Sequence, residues 1–139
     1  MSAAGGTVVD SSVLLDVFTQ DKKWCRWSEA NLLAAAMRGA LIINAVVLAE
    51  VAPRFSQIEA LRQALPSMAV IEPIPFAASF LAGHAHANYR RAGGARQAIL
   101  PDFLIGAHAL VCAERLLTRD RGFFRQYFSG LQVIDPSLR

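Results

Sequence analysis

The sequence predicts an α/β fold, a parallel sheet with helices on both faces. Two observations carry this. Short runs of β-branched and aliphatic residues alternate with helix-forming stretches along the whole chain. Those runs are apolar at successive positions rather than at every second one, as in strands buried on both sides. At 139 residues the chain is read as one domain spanning 1–139, long enough for a substantial core.

The first strand is Thr7-Val8-Val9. Asp10 ends it, and Ser11 and Ser12 open a short helix over 12–18. Asp21, Lys22 and Lys23 make a solvated break. A helix over 24–38 follows, rich in Ala and Leu and stopped by Gly39. Leu41-Ile42-Ile43 is the second strand, and Asn44 caps a helix over 45–51 that carries Glu50. Ser56 and Glu59 have capping-box spacing for a helix with Ile58, Leu61 and Leu65 on its apolar face. Residues 68–71 form the third strand, and Pro75 is the first residue of a helix running to about 89. Arg90, Arg91 and Arg96 flank Gly93-Gly94 in a basic loop, read either as gripping phosphates or as merely solvated. The helix begun by Pro101-Asp102 is apolar nearly all round and therefore buried. Leu116-Leu117-Thr118 is the fourth strand, Arg119 to Gly122 its outgoing loop, 123–128 a short helix and 131–134 the last strand.

Composition narrows the function. Hydrophobic residues make up 54% and charged residues 18%, which implies a large core or an apolar surface used by a partner. The net charge of +3 is compatible with a polyanionic ligand without identifying one. Cys25 and Cys112 form no metal-binding pair and are expected as free thiols in a reducing compartment. No basic start with an apolar run is visible, and the apolar tract over 32–52 is broken by Arg38, Asn44 and Glu50. A soluble cytoplasmic protein is the expectation.

Of the 11 acidic residues, four sit where a solvated face would not put them. Asp10 follows the first strand, and Asp120 the fourth. Glu50 lies among apolar neighbours, and Asp102 begins the most apolar helix. In a parallel sheet the strand ends share one edge, where ligands bind, so Asp10 and Asp120 are expected near each other. Gathered carboxylates raise one another's pKa unless a cation joins them. An all-oxygen set suits Mg²⁺ or Mn²⁺ rather than zinc. Ser12 and Thr118 could steady a carboxylate or a metal-bound water. For Asp10 alone, capping the first helix is an equal reading, and for Asp102 a helix-start charge is the simpler one.

Four blocks in order resemble the PIN-domain family: Val8-Val9-Asp10-Ser11-Ser12-Val13-Leu14; Leu48-Ala49-Glu50-Val51; Pro101-Asp102-Phe103-Leu104-Ile105-Gly106-Ala107-His108-Ala109; and Leu117-Thr118-Arg119-Asp120-Arg121-Gly122-Phe123. Length and compactness are similar to VapC-type toxins of bacterial toxin–antitoxin pairs. The resemblance implies a three-layer α/β/α domain with about five parallel strands. It implies a Mg²⁺- or Mn²⁺-dependent endoribonuclease site at Asp10, Glu50, Asp102 and Asp120, with metal at Asp10, Asp102 and Asp120 and with Ser12 and Thr118 supporting. It also implies a homodimer and a VapB-type antitoxin that lays an apolar segment along the toxin. Gly122 stands where some relatives carry a further acid, which leaves the number of metal ions open.

Other residues have plainer readings. Arg119 and Arg121, like Arg90 and Arg91, are candidate RNA contacts, and for Arg119 and Arg121 balancing the local charge is an equal reading. His108 reads as a hydrogen-bonded core histidine, and Asp16 as solvent-facing or structural. His84 and His86 lack helical ligand spacing. Trp24, Trp27, Phe76, Phe80, Phe123 and Phe124 read as core or dimer surface. A receiver-like phosphoacceptor is disfavoured, because Asp10 is followed by serines and the only lysines are Lys22 and Lys23. A catalytically idle binding domain on the same fold stays open.

Overall fold

The computed structural model describes residues 5–94 and 99–137. Arg96 and the chain before Gly5 lie outside the described residues. The elements are β1 (Thr7–Val9), α1 (Ser11–Phe18), α2 (Cys25–Arg38), β2 (Leu41–Ile43), α3 (Ala45–Val51), a 3-10 turn (Ala52–Arg54), α4 (Ile58–Ala64), β3 (Ala69–Ile71), α5 (Phe76–Arg91), α6 (Leu100–Cys112), β4 (Arg115–Leu117), α7 (Phe123–Tyr127) and β5 (Val133–Ile134).

The five strands form one sheet in the order β3-β2-β1-β4-β5, every pairing parallel. Val8 lies between Ile42 and Leu116 in register. Thr7, Val8 and Val9 are all at 0% exposure, although successive side chains of a strand point to opposite faces. Both faces are therefore covered, giving the three-layer α/β/α arrangement the sequence predicts. The chain lays β2 and β3 on one side of β1, then crosses to put β4 on the other. That reversal creates a switch point between the carboxyl ends of β1 and β4, the usual place for a ligand in an open parallel sheet.

α6 is the buried helix its composition predicts, with Phe103, Ile105, Gly106, Ala107, His108, Ala109 and Cys112 all inside. Gly106 permits this packing: a Cβ there would stand 2.4 Å from the Phe128 ring. Both cysteines are free.

Three local expectations need correction, and one of two open readings is removed. The fourth strand begins at Arg115, not Leu116, because the Arg115 Nη1 donates to Gly5 O and Thr7 Oγ1 and can be buried. α4 begins at Ile58 behind Gln57 with no side-chain cap, so the Ser56–Glu59 box does not form; Glu59 instead pairs with Arg62. Arg90 and Arg91 close α5 rather than lying in a loop. Phe76 and Phe80 are exposed at 90% and 64%, outside the core of this chain.

Candidate active site

Asp10 sits at the N-cap position of α1, but its carboxylate makes no cap hydrogen bond there. Its backbone N–H continues the sheet by donating to Leu117 O at 2.9 Å. Its Oδ2 accepts from Ser12 Oγ and from Thr118 Oγ1, each at 2.8 Å. The two hydroxyls are themselves fixed by the β4 exit: Ser12 Oγ accepts the Arg119 N–H and Thr118 Oγ1 the Asp120 N–H. The carboxylate is thus clamped across the switch point. The capping reading of Asp10 fails because its carboxylate bonds the Ser12 and Thr118 hydroxyls and makes no cap hydrogen bond to the helix backbone. Burial pushes the Asp10 carboxyl above its ordinary pKa; the Ser12 and Thr118 hydroxyls oppose this, and the Asp102 charge adds to it.

Glu50 is carried by α3, whose first turn is capped by Asn44 Oδ1 accepting from the Val47 N–H. Its Oε1 accepts from Ser11 Oγ at 2.7 Å. Local desolvation raises its pKa although the residue is exposed overall; the charges of Asp10 and Asp102 raise it further. Asp102 lies in the first turn of α6, where Pro101 fits a position without an N–H partner. Its N–H donates to Ile99 O, and its Oδ2 accepts a long bond of 3.4 Å from the Ile99 N–H. Asp10, Glu50 and Asp102 therefore lie close enough to feel one another's charge. Asp120 stands differently. It reaches this group through the Thr118 hydroxyl, while its Oδ2 accepts from Gly122 N–H and Phe123 N–H and starts α7. Ser11 is a participant that reading the sequence assigned only to helix initiation.

Arg119 and Asp16 form a structural pair beside this group. The Arg119 Nε donates to both Asp16 oxygens at 3.0 and 2.8 Å, and Ser28 Oγ donates to Asp16 Oδ2. Asp16 is 2% exposed, so of its two readings the structural one holds. Replacing Arg119 by Met leaves that carboxylate buried with one hydroxyl. The expected loss in urea unfolding is about 2 kcal/mol, below the range for a fully buried pair, because the guanidinium is 34% exposed. Arg121, Arg90 and Arg91 are exposed, and Arg91 hydrogen-bonds Asn88 Oδ1.

A second cluster has a different character. Ligand atoms of Glu72, His108 and Cys112 lie within 4.8 Å of one another, the one trio of such groups so close among the described residues. Hydrogen bonding accounts for the histidine completely. Asn44 Oδ1 is taken by the Val47 N–H, so the amide nitrogen faces His108 Nδ1 at 2.9 Å and Nδ1 must accept. The proton is then on Nε2, which donates to Glu72 Oε1 at 2.8 Å. With both ring nitrogens satisfied, His108 bridges the start of α3 to α6 as the core histidine its sequence context suggests.

Comparison with known proteins supplies the context. The sequence model of the PIN domain matches residues 7–129. The chain is similar to VapBC2 from Rickettsia felis bound to a DNA fragment from its promoter, with TM-score 0.70, 17% identity, and 94% of this chain and 98% of that chain covered. It is similar to VapBC-1 from nontypeable Haemophilus influenzae, with TM-score 0.67, 17% identity and coverage of 94% and 97%. DNA-bound VapBC from Salmonella typhimurium gives TM-score 0.66, 15% identity and coverage of 94% and 97%. At these identities the likeness is one of fold. No curated protein sequence matches the chain.

Proposed function

The chain belongs to the PIN-domain family, and from that premise we propose that it is a Mg²⁺- or Mn²⁺-dependent endoribonuclease, the toxin of a VapBC-type toxin–antitoxin pair. The observation that carries the reading is the buried Asp10 carboxylate, clamped by two hydroxyls and close enough to the like charges of Asp102 and Glu50 for them to repel one another. Such a group is costly alone and is relieved by a hard cation. The donor set is all oxygen, which fits Mg²⁺ or Mn²⁺. Asp10 and Asp102 would hold the ion, with Asp120 completing the set on the Thr118 side. When bound, the metal polarises a phosphoryl oxygen and readies a water for in-line attack.

The chain's own residues do the rest. Ser12 and Thr118 fix Asp10 in one rotamer, so no reorganisation accompanies binding. Ser11 holds Glu50 Oε1. The raised pKa of Glu50 suits it to receive a proton at Oε2 from the attacking water.

Surface features support the partner reading. A groove of about 560 Å³ is lined by Leu48, Ala49, Phe55, Ile58, Leu61 and Leu65, beside Glu50 on α3. α4 buries none of its residues, and Ile58 is 70% exposed. An apolar segment of a VapB-type antitoxin fills this groove and extends a basic side chain to the acids. The exposed Phe76 and Phe80, four residues apart on α5, form the face for a second copy.

The test is cleavage of single-stranded RNA by the purified chain. Cleavage is expected with millimolar Mn²⁺, with loss in chelator and recovery when metal is restored. Cleavage that ignores the chelator, or none with metal present, contradicts the proposal. Metal should also raise the melting temperature. At free Mn²⁺ near 100 times Kd the gain is about 2.7 kcal/mol, several degrees for a chain of this size. Asp10→Asn should erase that shift.

A further inference from the structure

The Trp24 indole is a meeting point of cations. Lys23 Nζ lies 5.2 Å from the ring centroid, and the guanidinium carbons of Arg119 and Arg121 each lie 5.5 Å from it. Trp24 is held at both ends: Asp21 Oδ2 accepts its backbone N–H at 2.7 Å, and Trp27 packs edge-on against its ring at 6.3 Å. Arg119 is neutralised by Asp16. Lys23 and Arg121 are exposed, and among the described residues neither makes an ion pair with a carboxylate. Like charges gathered on one ring repel each other, and with Asp16 set against Arg119 and Asp21 bound to the Lys23 and Trp24 N–H groups the corner still keeps an excess of positive charge that an anion would relieve.

Its position gives that charge a purpose. The Arg119 backbone N–H donates to Ser12 Oγ, which donates to Asp10 Oδ2, so two hydrogen bonds link the main chain that carries the corner to the acids. Arg121 follows Asp120 directly in the chain. The anion best suited to span both places is a phosphodiester chain, with one phosphate at the acids and its neighbour at the cations. We infer that the Trp24 corner seats the backbone of the single-stranded RNA next to the bond that is cut. Arg121 and Lys23 hold the flanking phosphate, and Trp24 holds both cations in position so that little side-chain freedom is lost on binding. Trp24 thereby has a role that reading it as core or dimer surface did not assign. This inference rests on the ribonuclease reading above.

The experiment uses a short unstructured oligoribonucleotide with a fluorescent end label. Binding is read by anisotropy in an Asp102→Asn background over a range of salt, and cleavage kinetics are read in the otherwise native chain. Lys23→Ala and Arg121→Ala should each weaken binding about 5-fold or more and reduce the slope of log K against log salt by about 0.7. Trp24→Ala should weaken it at least as much, with Trp24→Phe recovering part of the loss. In cleavage, the loss should fall on KM more than on kcat. Because Lys23 and Arg121 are exposed, their variants test the idea even if Trp24→Ala does not fold. Unchanged affinity and salt slope in both alanine variants, at unchanged melting temperature, overturn the inference while metal-dependent cleavage by the native chain leaves the ribonuclease reading standing. RNA binding that depends on Arg121 and Lys23 in a chain that cleaves nothing supports the corner and refutes the ribonuclease reading.

Discussion

Asp10→Asn and Asp102→Asn should each cut metal-dependent RNA cleavage by about 10²-fold to 10³-fold or more, without unfolding the metal-free chain. The pairing of these two outcomes is the informative part. Asp10 is 8% exposed, and burial raises its pKa above the ordinary 3.8. The native chain therefore binds this proton more tightly than the unfolded chain. Below 3.8 both states are protonated and the group contributes no penalty. Stability is lost as pH rises through the window between that value and the native pKa, and the penalty is complete above it. Asparagine carries no charge and keeps the shape. The metal-free Asp10→Asn chain should match or exceed the parent in melting temperature at neutral pH, and its stability should fall less as pH rises from 4. A scan in Mn²⁺ should reverse the order, because only the parent gains from metal. A metal-free variant that melts far below the parent would mean that Asp10 is chiefly a structural group.

The largest loss of stability should come from Phe103→Ala. Phe103 is wholly buried and meets five other rings: His86, Tyr89, Phe123, Tyr127 and Phe128, at centroid distances of 5.3, 5.5, 5.0, 6.2 and 6.1 Å. Removing it empties the junction of α5, α6 and α7. The expected cost is about 3–5 kcal/mol, a large share of the stability of a domain of this size. Urea unfolding gives the number directly. A loss under about 1 kcal/mol would mean that the surrounding rings close over the gap. Phe103 directly follows Asp102, so cleavage should fall as well wherever the variant still folds. Phe103→Leu should be milder in both respects.

The alternation of strands and helices could be read from the chain because the strands near the middle of the sheet carry runs of adjacent apolar residues, as Val8-Val9, Ile42-Ile43 and Leu116-Leu117 do. Edges and ends were harder. Arg115 begins a central strand, which its charge argued against; a carbonyl and a hydroxyl far away in sequence make its burial possible. Ser56 and Glu59 have the spacing of a cap that never forms, because the helix starts two residues later than Ser56. In the candidate site, Asp10 was ambiguous between capping and chemistry. Against capping stands Thr118, 108 residues away, and no local pattern reports that contact. For Asp102 the simpler reading of the sequence is a helix-start charge. The structure brings it within reach of the charge of Asp10 and Glu50. Asp120 has a second task, capping α7, that its own sequence neighbourhood does not reveal. The pairing of Glu72 with His108 is of the same kind, since it joins residues 36 apart.

The central claim is that separate acids on one sheet edge share a divalent ion. Anomalous diffraction from crystals soaked in Mn²⁺ tests it most directly. The expected result is a manganese peak bounded by the carboxylates of Asp10 and Asp102, absent from Asp102→Asn crystals. No peak there at millimolar Mn²⁺, or manganese found instead beside Glu72 and His108, would contradict it.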